Sequence, residues 1–112
     1  MSRSLPEFLI HIKEECEFLL KATEGKTYSD VFEDDTLKRA VVRSIEIIGE
    51  ASKKLDSDFK SKHPQIEWKK MAGSRDVMIH DYFGIDYEIV WNIIEEKIPE
   101  LLFQINAILE TN

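Results

Sequence analysis

Three side chains suited to phosphate chemistry lie close together in the stretch Gly73-Ser74-Arg75-Asp76-Val77-Met78-Ile79-His80-Asp81-Tyr82. Arg75 offers a permanent charge on a planar fork that matches phosphate oxygens. His80 is the side chain type that best exchanges protons near neutral pH. A histidine that deprotonates a ribose 2′-hydroxyl, beside an arginine that stabilises the charged transition state, would cleave RNA without a metal ion and leave a cyclic phosphate. Tyr82 could position the substrate, stack on a base or itself be modified.

The spacing of these residues bears on how they would meet. On a helix, Arg75, Ile79 and Tyr82 lie along one side, whereas His80 stands about 140° around the axis from Arg75. Such a pair in the middle of a helix would not converge on one phosphate. An arginine in the first turn can curl around the helix end, and a second copy of the helix could face the first across a dimer interface. The spacing therefore favours a composite site.

A structural interpretation of the same residues stays open, because an arginine and a histidine five apart are common by chance. Arg75 would then form an ion pair with Asp76 or Asp81, His80 would lie at the edge of the core, and Tyr82 would pack in a bundle. Other chemistries find less support. His11, His63 and His80 are scattered, so we expect no metal site, and the absence of a glycine-rich phosphate loop predicts no cofactor.

The apolar residues around this stretch recur at helical spacing. Leu5, Leu9, Ile12, Cys16 and Leu19 predict a first helix from Leu5 to about Glu24, followed by a loop at residues 25–30. A second helix should begin at Asp34 or Asp35 and run to about Leu55. A polar connector at residues 56–64, with one helical turn near Phe59, then leads to a short helix at residues 67–72 anchored by Trp68.

The motif itself reads as a helix from about Arg75 to Phe83 that ends at Gly84. Asp86 can cap a last helix from Tyr87 to about Leu109, which Pro99 should kink or split in two. With no strand pattern in the sequence, we predict one all-α domain over residues 1–112, an antiparallel bundle of four main helices plus a short helix.

Charge is unevenly distributed along the chain, whose net charge is −7. Residues 53–75 hold seven basic and three acidic side chains, although the whole chain is acidic. This segment leads directly into the motif, so Lys53, Lys54, Lys69 and Lys70 are candidates for RNA binding. A lysine-rich solvated surface is an equally favoured interpretation.

Compartment and membrane association are indicated by two further features. The single cysteine, Cys16, cannot form an internal disulfide, which fits a reducing cytoplasm. Only Phe8-Leu9-Ile10 precede the next charges, so we expect no signal peptide. No apolar run approaches the ~20 residues that span a bilayer, so we expect no membrane partner.

Arg75-x-x-x-x-His80-x-Tyr82 resembles the R-x-x-x-x-H-x-Y signature of HEPN-superfamily ribonucleases, and specifically of HepT-like toxins. The short signature is unspecific by itself, but flanking blocks over nearly the whole chain agree with it. These blocks are Ile47-Ile48-Gly49-Glu50-Ala51, Trp68 with Gly73, and the tail Asp86…Val90-Trp91…Ile98-Pro99-Glu100-Leu101.

The resemblance implies a HEPN-like helical homodimer whose two motifs face a cleft between the subunits. It implies a metal-independent endoribonuclease, the toxin of a toxin–antitoxin pair, with Arg75 and His80 catalytic. The antitoxin would be an MntA-like minimal nucleotidyltransferase that transfers AMP onto Tyr82, where a bulky anionic group would block an RNA cleft. The position after the arginine is often asparagine in this family and is Asp76 here. Asp76 and Glu50, which matches a recurrent family position, are candidate supporting residues.

Two other functions remain open at this stage. The chain could be a non-catalytic helical partner that presents Tyr82 or a substrate to a separate nucleotidyltransferase, a version that the acidic net charge and Asp76 favour. It could also be a dimerisation bundle that binds no RNA even at low salt.

Overall fold

The computed structural model describes residues 7–73 and 84–111, which form helices joined by short connections. The three longest helices are α1 (Glu7–Ala22), α3 (Asp35–Lys54) and α7 (Ile98–Glu110). Shorter helices are α2 (Tyr28–Phe32), α4 (Ser57–Lys62), α5 (residues 68–73) and α6 (Tyr87–Asn92), and a π-helical segment, Ile93–Lys97, joins α6 to α7. No strand occurs in these two stretches, and the all-α prediction is confirmed.

The predicted apolar faces form the core. On α1, the side chains of Leu9, Ile12, Cys16 and Leu19 are fully buried. The matching face of α3 contributes seven buried residues, namely Val41, Ser44, Ile45, Ile48, Gly49, Ala51 and Ser52. The helices α1 and α7 pack together, and α7 adds Ile98, Leu101, Ile105 and Ile108. Periodic apolar residues form these helices because burying one face of each removes a continuous stripe from water.

Two contacts fix α1 and α3 as antiparallel neighbours. Near the middle of both helices, the Ser44 hydroxyl donates to the Glu15 carboxylate over 2.8 Å. At the ends, the Lys54 ammonium lies 5.9 Å from the centroid of the Phe8 ring. Positions late in α3 therefore meet positions early in α1.

The helix α2 corrects the expectation of a loop at residues 25–30. Gly25, with φ +72°, makes the expected turn after α1. Directly afterwards, the Thr27 hydroxyl accepts from the Asp30 backbone N–H at 3.1 Å, while the Asp30 carboxylate accepts from the Thr27 N–H at 2.9 Å. This reciprocal capping box satisfies the first N–H groups of a short helix. Its buried Val31 then ties α2 to the core.

As expected from Pro99, the last helix is divided: α6 ends at Asn92, the π segment spans Ile93–Lys97, and α7 begins at Ile98 with Pro99 in its first turn. The Ile98 N–H donates to the carbonyl of Ile93, five residues back, which is the hydrogen bond of a π-helix. Proline has no N–H and its ring crowds the carbonyl four residues earlier. The wider π turn directly before Pro99 accommodates the missing backbone hydrogen bond and the proline ring. The π segment and α7 therefore follow α6 directly.

Other predicted boundaries hold to within a residue or two. Asp34 caps α3 by accepting from the Leu37 N–H, and Asp86 caps α6. The expected helical turn near Phe59 is α4, which ends at Lys62, with His63 as its C-cap directly before Pro64. Trp68 is 8% exposed and anchors α5 as predicted.

Candidate functional site

The motif residues Arg75, Asp76, His80 and Tyr82 lie outside the residues that the structure describes. The predicted motif helix at 75–83 lies there too, and so does Asp81 of the alternative ion pair. Their predicted roles therefore stay predictions. What the structure does describe is how the chain is held on both sides of this stretch, up to Gly73 and from Gly84.

On the entry side, α5 is fixed to the connector before it. The Trp68 indole N–H donates to the carbonyl of His63 over 3.0 Å, and Trp68 is buried against the core. The Phe59 ring lies 6.0 Å from the Trp68 ring in an edge-on contact. The position from which the chain enters the motif is thus set by a buried aromatic anchor.

On the exit side, an aromatic cluster of Tyr28, Phe32, Tyr87 and Trp91 joins α2 to α6. The ring centroids of Phe32 and Tyr87 lie 5.1 Å apart, and those of Tyr28 and Trp91 lie 6.3 Å apart. The Lys38 ammonium lies 5.5 Å from the centroid of the Tyr87 ring. Sequence reasoning missed this cluster because it missed α2. The i,i+4 spacing of Tyr28 and Phe32 behind a Thr-x-x-Asp box was the available signal.

The candidate RNA-binding lysines form two pairs on different helices. Lys53 and Lys54 are exposed in the last turn of α3, and Lys69 and Lys70 are exposed on α5. Lys70 donates to the Glu67 carboxylate over 3.1 Å, so part of its charge is neutralised. Among the described residues, no carboxylate lies within 4 Å of the Lys54 or Lys69 ammonium.

Glu50, the candidate supporting residue, is half-buried on α3 one turn before Lys54. Glutamate and lysine at this spacing commonly pair on helices. Within residues 7–73 and 84–111, however, no cation lies within 4 Å of the Glu50 carboxylate, because the Lys54 side chain lies over the Phe8 ring instead. Among the described residues, Arg43 forms an ion pair with Glu46 at 3.3 Å and not with Glu50.

Two of the side chains with shifted pKa values bear on reactivity and charge, namely the Cys16 thiol and the Glu67 carboxyl. Burial raises the pKa of the Cys16 thiol to about 12, with the charges of Glu15 and Glu17 adding to the effect. The thiol is therefore protonated at neutral pH and is a core residue, not a nucleophile. The pKa of Glu67 is lowered, first by its hydrogen bond with Lys70, then by the charges of Lys70 and Lys97.

A cavity of about 430 Å³ lies between α3, α5 and the π segment. Aliphatic side chains including Ile45, Ile48 and Ile93 line it, and Glu67 lies on its rim 3.8 Å from Lys97. Glu67, Lys70, Lys97 and Glu100 also line it, but its described lining residues include no histidine and no arginine, the two side-chain types of the predicted RNA chemistry. We therefore assign the cavity no role in phosphate chemistry.

The described residues also lack a metal-binding cluster and a membrane-spanning helix. No cluster of three or more His, Cys, Asp or Glu side chains in them could hold a metal ion. None of the helices in these parts of the chain has the length and hydropathy of a bilayer-spanning segment.

Comparison with known proteins gives consistent matches over most of the chain. The model of the family described as ribonuclease HepT-like matches residues 12–108. "Putative RNase TTE0752" of Caldanaerobacter subterraneus subsp. tengcongensis is 48% identical over 103 residues, which cover 92% of each chain. "Probable ribonuclease HepT" of Thermococcus cleftensis is 43% identical over 101 residues, covering 90% of this chain and 92% of the relative.

An archaeal relative agrees: "Putative RNase MJ0127" of Methanocaldococcus jannaschii is 43% identical over 103 residues, covering 92% of this chain and 85% of the relative. No solved structure gives a significant match. The family model spans both the helical scaffold and the Arg75-to-Tyr82 stretch, and the predicted resemblance is confirmed. The chain belongs to the HepT-like ribonuclease family of the HEPN superfamily.

Proposed function

We propose that this protein is a metal-independent endoribonuclease, the toxin of a toxin–antitoxin pair. The observation that carries the proposal is the family match over residues 12–108, within which the Arg-x-x-x-x-His-x-Tyr spacing is intact. Two relatives that match over 92% of their own length are named as ribonucleases, which supports the same activity.

In the proposed reaction, His80 takes the proton of a ribose 2′-hydroxyl, and the 2′-oxygen attacks the adjacent phosphorus. The bond between phosphorus and the 5′-oxygen of the next nucleotide breaks, and that oxygen takes a proton from water, so the products are a cyclic phosphate end and a 5′-hydroxyl end. Arg75 stabilises the negative charge that develops on the phosphate oxygens. Glu50 and Asp76 support this pair, and exposed Lys53, Lys54, Lys69 and Lys70 contact the RNA backbone.

We further propose that the active form is a homodimer in which two motifs share one cleft. The angle of about 140° between Arg75 and His80 on one helix favours a site built from two copies. An MntA-like nucleotidyltransferase antitoxin would inactivate the dimer by transferring AMP onto Tyr82. The added phosphate would repel RNA and occupy the cleft.

The test is cleavage of single-stranded RNA in EDTA by the purified dimer, after mass spectrometry has shown that Tyr82 is unmodified. We expect the wild type to leave cyclic phosphate ends, and both Arg75→Ala and His80→Ala to lose cleavage while remaining folded. Arg39→Ala is the matched control, since Arg39 is an exposed arginine paired with Asp35 on α3. Cleavage by His80→Ala at the wild-type rate would overturn the mechanism.

The second candidate is a non-catalytic partner that presents Tyr82 to a nucleotidyltransferase. The net charge of −7 and the carboxylate of Asp76 beside Arg75 favour it. Absence of cleavage by an unmodified dimer on several RNAs, together with AMP transfer onto Tyr82, would establish this function in place of the nuclease.

A further inference from the structure

The first turn of α1 and the last turns of α3 and α4 meet at one corner of the molecule. The Lys54 ammonium at the end of α3 lies over the Phe8 ring of α1, 5.9 Å from its centroid. On another side of the same turn, the Lys60 ammonium donates to the carbonyl of Ser52 over 3.2 Å, which ties α4 to α3. We call this region the basic corner: Phe8, His11, Lys53, Lys54, Phe59, Lys60, Lys62 and His63.

A histidine paired with a phenylalanine stands on each side of the basic corner. On α1, the ring centroids of Phe8 and His11 lie 6.1 Å apart, edge to face, and His11 is exposed. At the end of α4, the rings of Phe59 and His63 lie 4.7 Å apart, and both residues are half-buried. The Trp68 indole N–H donates to the carbonyl of His63, which fixes the backbone that carries the second ring pair.

The lysines of the basic corner are not neutralised by the acids nearest to them in sequence. Glu50 and Asp58 stand four residues before Lys54 and Lys62, at the spacing of a helical ion pair. Neither pair comes within 4 Å in the part of the chain that the structure describes. Asp56, the other acid of this connector, is committed to capping α4 by accepting from the Phe59 N–H at 2.7 Å.

We propose that the basic corner is an accessory binding site for single-stranded RNA, outside the catalytic motif. The lysine ammonium groups contact phosphates, and bases stack on the two histidine–phenylalanine pairs. Partly exposed aromatic rings beside lysines such as Lys54 and Lys62, which have no carboxylate within 4 Å among the described residues, are the combination by which proteins hold single strands with little sequence preference. The inference rests on the proposed function, since it names how that RNA substrate is held.

Stabilisation of the helix ends is the competing explanation for the lysines. A cation in the last turn complements the helix dipole. This explains why Lys53, Lys54, Lys60 and Lys62 lie where they do, and Phe8 and Phe59 also pack against the core. It gives no role to the rings of His11 and His63 beside them. The two explanations therefore differ in whether binding depends on the rings.

The first experiment measures binding of a fluorescent 2′-O-methyl oligouridine, which cannot be cleaved because it lacks the 2′-hydroxyl. We compare Lys54→Gln/Lys62→Gln with the control Lys21→Gln/Lys26→Gln, whose exposed lysines lie about 20 Å away near the other end of α1. For the corner variant we expect the salt dependence of log K to fall by about 0.7 for each lost phosphate contact. The control should keep the wild-type slope. Equal slopes for wild type and both variants would overturn the proposal.

The second experiment separates stacking from charge at His63. We expect His63→Ala to weaken binding about five-fold or more, the usual loss of one stacked base. His63→Tyr retains a flat ring without the imidazole and should bind within about two-fold of the wild type. His11→Ala and His11→Tyr repeat the comparison on α1. Wild-type binding by both alanine variants would overturn the proposal.

Because the oligonucleotide is not cleaved, this result does not depend on catalysis. Loss of cleavage in His80→Ala with retained corner binding would support both proposals. Binding at the corner by a dimer that cleaves no RNA would reject the nuclease and leave the accessory site standing.

Discussion

The exposed faces of α1 and α3 differ from the basic corner in how their cations are used. Along the faces, four cations are paired within one turn, for example Lys13 with Glu17 at 2.9 Å and Arg43 with Glu46 at 3.3 Å, while Lys21 has no carboxylate within 4 Å among the described residues. In the corner, Lys54 and Lys62 stand four residues after an acid, yet no carboxylate in the described residues lies within 4 Å of either. Paired surface charges support helices weakly, whereas unpaired ones remain available to an anion.

A shortage of acids does not explain the contrast. The chain has 22 Asp and Glu against 15 Lys and Arg, so each cation could have a carboxylate. The acids are concentrated elsewhere, as in the first turns of α2, α3 and α6, where they cap helix ends or complement the dipole. An acidic protein can therefore keep one positive surface without a positive net charge.

The largest effect that would sharpen this comparison is a charge reversal in the corner. We expect Lys54→Glu/Lys62→Glu to lower kcat/KM for RNA cleavage about ten-fold or more at low salt, mainly through KM, because phosphate contacts become repulsive. The free energy of unfolding should change by less than about 1 kcal/mol, since both side chains are exposed. Steady-state kinetics and urea unfolding measure the two quantities. Lys21→Glu/Lys26→Glu is the matched control, and an equal loss in that control would remove the distinction between the regions.

A smaller effect is expected at the capping box of α2, where polar groups serve structure alone. Thr27→Ala should lower the free energy of unfolding by about 1 kcal/mol, because the Asp30 N–H loses its acceptor. RNA cleavage and oligouridine binding should remain at the wild-type level. Urea unfolding is the measurement, with Thr36→Ala, at an exposed first-turn position of α3, as the control. Loss of cleavage without loss of stability would show that α2 contributes directly to function.

The smallest effect concerns Glu67, whose pKa Lys70 and Lys97 lower. Since this pKa is lower in the folded chain than in the unfolded chain, the ionised carboxylate stabilises the fold above its ordinary pKa. That stabilisation is lost as the pH falls through the folded-state pKa. Glu67→Gln should therefore unfold at lower urea than the wild type at neutral pH, and the two should converge on acidification. Glu24→Gln is the matched control, since Glu24 is exposed after α1 and forms no ion pair within the described residues. A difference that grows as the pH falls would contradict this assignment.

The long helices were predictable because one period governs many residues. Leu9, Ile12, Cys16 and Leu19 repeat three and four apart, and each is buried. Buried apolar area increases with every turn, so no single contact decides the outcome. The helix α2 was missed because five residues carry too little of this pattern, and its stability comes from the Thr27–Asp30 pair and from contacts with α6.

The two candidate sites also differ in how far the sequence reveals them. The Arg75–His80–Tyr82 stretch is contiguous, so its residue types and family resemblance are visible in the sequence. The basic corner is not contiguous: the contact between Phe8 and Lys54 joins residues from opposite ends of two antiparallel helices. His11 is exposed and meets Phe8 three residues earlier on the same helix, but the approach of Lys54 to this pair depends on the packing of α1 against α3.

The π segment before Pro99 has a consequence for insertions and deletions. Buried residues follow Val90, Ile94 and Ile98 in two steps of four, which on a regular α-helix would rotate the third side chain about 80° from the first. The wider turn absorbs this rotation, so Ile98, Leu101, Ile105 and Ile108 all reach the core. Deleting one exposed residue from 93–97 would restore a regular helix in which Val90 and Ile98 stand seven positions apart and differ by only about 20° around the axis, so the buried face of α7 would still meet α1. A deletion inside α7 has no such extra residue to remove and would rotate the side chains beyond it by about 100°, which turns part of the apolar stripe away from the core.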